Sequence, residues 1–256
     1  MTPDLAMEQA RLQRIIDRVG ASGVPEIEFI KRAKQSGPRL GIFPSSFNPV
    51  TVAHVELIRK SARDFSLDET LALAGKANAD KSDYDCSLED RLGMLVSAFA
   101  DDDRISVGLS SHAYFSDMLE ALEAAYGENN VFYFIVGFDT FERVLDPEDR
   151  YTSKYHRKFS DRRHALERLF SESHFIVAGR AGAGCDHLRE LIEGEPLSIK
   201  DRVHFLDLPA EMAERSATEV RSRLRQGLSV TGLVPAEVEQ YIKRHELYKP
   251  DGARWL

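Results

Sequence analysis

The sequence predicts an α/β fold, a doubly wound parallel sheet with helices on both faces, an N-terminal helical extension and C-terminal helices. Three observations predict it. From residue 39 onward, short apolar runs alternate with amphipathic stretches, the pattern of parallel strands joined by right-handed helical crossovers. The first of those runs ends in a Pro-broken turn that leads straight into a helix start, Phe43-Pro-Ser-Ser-Phe-Asn-Pro-Val-Thr-Val-Ala-His54. With 256 residues and 43% hydrophobic content, the chain is also long enough to bury a large core as one domain with insertions.

Taken in order, Leu5, Ala6, Ala10, Leu12, Ile15, Ile16 and Val19 recur at near-helical spacing. Residues 25–34 continue in similar style after the Gly20 to Gly23 break, so residues 1–38 read as a two-helix extension, a cap or a contact between copies of the chain. Residues 39–256 then form the main domain. Strands are expected near 39–44, 69–75, 104–109, 131–137, 173–179 and 202–207. Helices are expected at 52–64, 87–99, 115–125, 184–193, 217–226 and 235–246, the last two separated by a turn with Gly227, Gly232 and Pro235. Residues 146–172, rich in Lys, Arg, Asp and Tyr, read as a charged insertion or mobile helical arm.

A net charge of −8, with acids spread along the chain, argues against a nucleic-acid partner. The two cysteines, Cys86 and Cys185, lie far apart without metal-ligand spacing, so neither a disulfide framework nor a protein metal site is expected. Residues 1–20 carry charges throughout and no run could span a bilayer, so the expectation is a soluble cytoplasmic protein with no membrane partner.

Chemistry is carried by two helix starts. Thr51 and His54, three residues apart, share one face beside backbone N–H groups that a helix start leaves free, an arrangement suited to a triphosphate. Near the other end, Ser216-Ala-Thr-Glu-Val-Arg221 is again hydroxyl-rich and followed by a cation. Its Ser-x-x-Glu is also a capping box, which explains a helix start without any function. Val136-Gly-Phe-Asp139 ends an apolar strand in a Gly and an acid, and that acid could equally cap the next helix.

Together these segments resemble the adenylyltransferase branch of the nucleotidyltransferase superfamily, over most of residues 39–248. Ser45-Ser-Phe-Asn-Pro49 with Thr51-Val-Ala-His54 is similar to its Gly-Ser-Phe-Asn/Asp-Pro and His/Thr-x-Gly-His signature. Arg215 to Arg221 is similar to its Ile-Ser-Ser-Thr-x-x-Arg signature, and the tail Val234 to Tyr248 looks like the nicotinamide-mononucleotide branch. The resemblance implies a Rossmann-like fold, ATP and a mononucleotide as substrates, and Mg²⁺ with the ATP. Among catalytic residues it implies that His54 stabilises charge at the α-phosphate, Thr51 holds the attacking phosphate or the nucleotide, and Arg221 meets the β and γ phosphates. Lys76 or Lys81, with Lys81 preferred, meets phosphate. For the nucleotide it implies Ser46 and the Phe47 backbone at the first turn, Ser216 and Thr218 at the second, and Gly137 and Asp139 at the adenosine ribose. Tyr114, Phe141 and Arg180 are expected to line the substrate pocket. Asn48 and Pro49 shape the turn.

The chain departs from the pattern at Pro44, Ser45 and Ala53, where glycines are usual, and at Ala217, where a second Ser is usual. A sister transferase of the same fold, using phosphopantetheine or CTP, and a nucleotide-binding sensor without catalysis are the alternatives. Turnover separates the sensor from the enzymes, and the acceptor separates the enzymes from one another.

Overall fold

A computed structural model describes residues 3–20, 22–76, 85–127, 129–146, 159, 161–180, 183–195, 197–208 and 216–249. Seven strands form one sheet: β1 (Ile27–Lys31), β2 (Arg39–Ser45), β3 (Glu69–Gly75), β4 (Ile105–Ser110), β5 (Val131–Gly137), β6 (Ser173–Arg180) and β7 (Val203–Leu208). Their order is β1-β4-β3-β2-β5-β6-β7, parallel throughout except for β1, which pairs antiparallel with β4 at the edge. The α/β reading holds.

The strands bury both faces, so alternate residues feed two cores. Phe43, Ala72, Ala74, Tyr133 and Ile135 enter one. There they meet α1 (Pro3–Arg18), α2 (Val52–Asp64), α3 (Leu88–Ala98), α8 (Ala217–Arg225) and α9 (Ala236–Arg244), through residues such as Ile16, Ile58, Leu92, Val220 and Ile242. Leu40, Ile42, Leu71, Leu73, Phe134 and Val136 enter the other. Its helices are α4 (Phe115–Tyr126), α5 (Phe138–Leu145), α6 (Arg162–Glu172) and α7 (Ala183–Gly194). Among the described residues, no helix is long and apolar enough to cross a membrane.

Three expectations are corrected. Residues 27–31 are a strand and not a helix, because Ile27 and Phe29 turn to one core and Ile30 to the other while the backbone closes the free edge of β4. The same strand ties the N-terminal extension into the main sheet. The charged stretch 146–172 lies outside the described residues at 147–158 and 160, but its last part is the packed helix α6 and not an exposed arm. Ala165, Leu166, Leu169 and Phe170 form a buried stripe there among the charges. Finally, Gly137 is the cap of α5, and Asp139, which could have capped that helix, lies inside its first turn.

The sheet reverses its winding between β2 and β5, and there the two strands part. Pairing of β2 with β5 ends at Ile42 against Phe134, whereas β2 stays with β3 as far as Ser45. Pro44, which has no N–H to give to a ladder, falls in the stretch that β5 has left. A crevice at the carboxyl ends of strands, where the winding reverses, is where such sheets place ligands.

Candidate active site at the carboxyl ends of the strands

The turn from β2 to α2 is built from the inside. Phe47 adopts φ 46°, a left-handed backbone that costs a non-glycine residue roughly 1–3 kcal/mol. Its fully buried ring offsets that cost, meeting Phe43 and His54 edge-on with centroids 5.8 and 5.5 Å away. The Asn48–Pro49 peptide is cis. Asn48 is buried, and its Oδ1 accepts from the Tyr248 hydroxyl at 2.6 Å and from the Cys86 thiol at 3.3 Å. Burial pushes the Cys86 thiol up to about 11, which leaves it protonated as a donor. Two guanidinium groups hold the turn's carbonyls: Arg91 donates to Ser46 O at 2.9 Å and Arg221 to Asn48 O at 2.7 Å.

Helix α2 opens with a capping box in which the third helical residue is a histidine. The Thr51 hydroxyl accepts from the His54 N–H at 3.4 Å, and His54 Nδ1 accepts from the Thr51 N–H at 3.0 Å. The same Nδ1 lies 3.1 Å from the Thr51 hydroxyl. Because Nδ1 takes an amide proton, the proton of the neutral ring is assigned to Nε2. Burial against Phe43 and Phe47 pushes the imidazole down to about 4, so at neutral pH it is an uncharged N–H donor. The expectation that Thr51 grips a phosphate is corrected here. Thr51 is 1% exposed and its hydroxyl is spent on the cap and the imidazole, so it positions His54.

The second signature starts α8 at the opposite side of the turn. Ser216 is exposed and accepts the Glu219 N–H at 3.1 Å, the capping role, with no reciprocal bond from Glu219. Exposed Thr218 accepts from Arg221 Nη2 at 3.3 Å. Arg221 is the link between the signatures, because the guanidinium on α8 also holds the Asn48 carbonyl of the first turn. Val52 N–H donates to Leu233 O at 3.0 Å, which ties the start of α2 to the chain after α8.

Gly137 caps α5 and Asp139 lies in its first turn, both exposed at the end of β5, across the crevice from the first turn. At Gly137, φ is −79° and a Cβ would meet nothing within 4 Å, so neither backbone strain nor packing requires a glycine. Half-buried Tyr114 starts α4 beyond the end of β4. Phe141 is corrected: it has no exposed surface and packs on Phe175 and Phe170, with centroids at 5.2 and 6.3 Å, so it belongs to the core and not to a pocket wall. Arg180 ends β6 opposite Leu208. Lys81 lies outside the described residues. Its alternative, Lys76, donates to Ile16 O and Val19 O at 2.6 Å each, which closes the C-terminus of α1.

Sequence reasoning did not single out Cys86, Tyr248 or Asp85, the residues that clamp Asn48 and Arg221. None carries a local signal. Their roles arise from contacts between segments remote in sequence.

The sequence model of the cytidylyltransferase-like family matches residues 42–223, a span that begins in β2, before the first turn, and ends beyond Arg221. The chain belongs to that family. Among similar members is a probable nicotinate-nucleotide adenylyltransferase of Desulfatibacillum aliphaticivorans, 30% identical over 82% of this chain and 99% of that protein. Another protein of that name, from Moorella thermoacetica, is 25% identical over 83% of this chain and 92% of its own length. The Plasmodium falciparum nicotinic acid mononucleotide adenylyltransferase complexed with NaAD has a similar structure. Its TM-score is 0.60 at 18% identity, with 83% of this chain and 98% of that one covered, a likeness of fold.

Proposed function

We propose that this family member transfers AMP from ATP to a pyridine mononucleotide, the nicotinate form before the nicotinamide form, and releases pyrophosphate. The observation that carries the reading is His54: a neutral imidazole whose Nδ1 is held by the Thr51 N–H and whose Nε2–H is left to a ligand at the sheet's switch point. The names borne by its relatives support the acceptor.

The 5′-phosphate oxygen of the mononucleotide attacks the α-phosphorus of ATP in line. A P–O bond forms there as the bond to the β-phosphate bridging oxygen breaks, and that electron pair leaves with pyrophosphate. Such a displacement needs positioning and charge stabilisation more than covalent chemistry. His54 Nε2–H donates to the α-phosphate oxygen where charge builds. Arg221 and the start of α8 take the β and γ phosphates. Ser46 and the Phe47 backbone border the triphosphate, Asp139 accepts from the adenosine ribose, and Gly137 lets it approach. Tyr114 borders the acceptor and Arg180 the nucleotide. Mg²⁺ arrives as part of the substrate, on the triphosphate.

The test is product formation by the purified protein with ATP and Mg²⁺ against nicotinate mononucleotide, nicotinamide mononucleotide and phosphopantetheine, with CTP as a parallel donor. Dinucleotide from nicotinate mononucleotide is expected. Product only from phosphopantetheine or only from CTP would reassign the acceptor or donor, and ATP binding without any product would refute the enzyme.

A further inference from the structure

Arg221 is the cation on which the proposed triphosphate site depends, and protein groups already engage it. One nitrogen donates to Asn48 O at 2.7 Å and another to Thr218 Oγ1 at 3.3 Å. Its Nε lies 2.7 Å from Asp85 Oδ2. Yet that Nε is buried and makes no aligned hydrogen bond among the described residues, so charge holds the carboxylate there without the directional bond of a good guanidinium pair. The other Asp85 oxygen pairs with Arg225, one helical turn along the same face of α8. A single carboxylate thus bridges both arginines at the end of the second signature.

We infer that Asp85 sits in the seat of the terminal phosphates, so that nucleotide enters by exchanging a phosphate for this carboxylate on Arg221 and Arg225. The inference rests on the reading of Arg221 as a triphosphate ligand and adds a residue that tunes it. The side chains of Arg221 and Asp85 are 18% and 33% exposed, so the pair is shielded enough to hold the guanidinium in place and open enough for the carboxylate to leave. A phosphate offers three acceptor oxygens to the two arginines and to the N–H groups at the start of α8, where Asp85 offers two oxygens and one poorly aligned contact. Two anions cannot share the seat, because like charges a few ångströms apart repel in a partly buried site. Asp85 therefore keeps the Arg221 side chain on the Asn48 carbonyl until a phosphate displaces it. It weakens ATP and pyrophosphate by the same competition, which helps the product leave.

The experiment is calorimetric binding of ATP with Mg²⁺, and of pyrophosphate, to the full chain and to Asp85→Asn, Asp85→Glu and Arg221→Ala, each checked for an unchanged melting temperature. Asp85→Asn is expected to tighten both ligands about three- to tenfold and to lower the KM for ATP while that for the mononucleotide stays put. Asp85→Glu should bind like wild type. In Asp85→Asn/Arg221→Ala, the tightening should vanish, because Asp85 acts through Arg221. Weaker ATP binding in Arg221→Ala together with unchanged or weaker binding in Asp85→Asn would overturn the exchange and leave the site reading standing. Unchanged ATP binding in Arg221→Ala would overturn both.

Discussion

The starts of α2 and α8 are two versions of one device, a hydroxyl cap at a helix N-terminus followed by a nitrogen donor, and they differ in burial. At α2, Thr51 is 1% exposed, its hydroxyl accepts from the His54 N–H and the imidazole accepts from the Thr51 N–H, so the pair is rigid and His54 has one free proton in one direction. At α8, Ser216 and Thr218 are exposed, and Arg221 shares its charge with Asp85, a partner that can leave. In the proposed function, the contrast divides the phosphate site into a prebuilt part and an exchangeable part. A group that stabilises charge during the reaction gains from having no reorganisation left to do, whereas one that binds and releases a polyanion gains from exchange.

The sharpest way to break this comparison is His54→Ala. Loss of one preorganised donor is expected to lower kcat by about 10²–10³, with the KM for ATP nearly unchanged. Steady-state kinetics with kcat intact would refute the role. Next in size, Arg221→Ala should raise the KM for ATP tenfold or more by removing a charge-assisted contact, with a smaller effect on kcat (roughly 1.4 kcal/mol per factor of ten). An equal fall in kcat at constant KM would place Arg221 with His54 and erase the distinction.

Acid pH tests the first of the two starts, through His54. The folded His54 titrates at about 4, below the ordinary 6.5, so between those values the unfolded chain binds a proton that the folded chain does not. Stability is therefore complete above pH 6.5 and is lost as pH falls toward 4, by up to about 3 kcal/mol from this residue. His174, held at about 4 by burial and by Arg202, His204 and Arg39, adds to the same window. Urea unfolding of His54→Gln at pH 7 and 5 should show a smaller pH-dependent loss than wild type, and equal losses would mean that His54 is solvated. The smallest effects contrast the caps. Thr51→Val should cost about 1 kcal/mol of stability and several-fold in kcat, because the His54 N–H loses the hydroxyl that caps it and fixes the residue's place. Ser216→Ala should cost no more than about 1 kcal/mol with kcat near wild type, and a Ser216→Ala enzyme as impaired as Thr51→Val would show that the two starts do the same work.

Strong periodicity made much of the fold legible. The limits of α2, β3 and β5 coincide with the runs read for them, since each is a long, unmixed pattern bounded by turn residues. What escaped was short or disguised. Strand β1 has five residues and follows a helical stretch, so its alternation was too brief to tell from a helix. Helix α6 hides four buried apolar residues among charges, and α5 begins directly after β5 with no intervening turn residues to mark it. In the site, the spacing of Thr51 and His54 revealed that they share a face. It could not reveal that they turn toward each other, which depends on the Thr51 backbone entering the helix from an extended conformation. Phe141 shows the converse error: it closely follows Gly137 and Asp139 in sequence, but its place on α5 points it at Phe170 and Phe175.

Local patterning was enough for the α/β class, the strand-turn-helix at residues 43–54 and the presence of two hydroxyl-capped helix starts, because periodicity, caps and turn residues act within a few positions. Which donors are free and which are already taken came only with the folded chain. Asn48 is held by Tyr248 and Cys86, Arg221 by Asn48 and Asp85, and Lys76 by the end of α1. Each contact joins segments that only the packing of helices on the sheet brings within hydrogen-bonding distance. Hydrogen bonds and ion pairs act over a few ångströms, and no local pattern along the chain encodes that proximity.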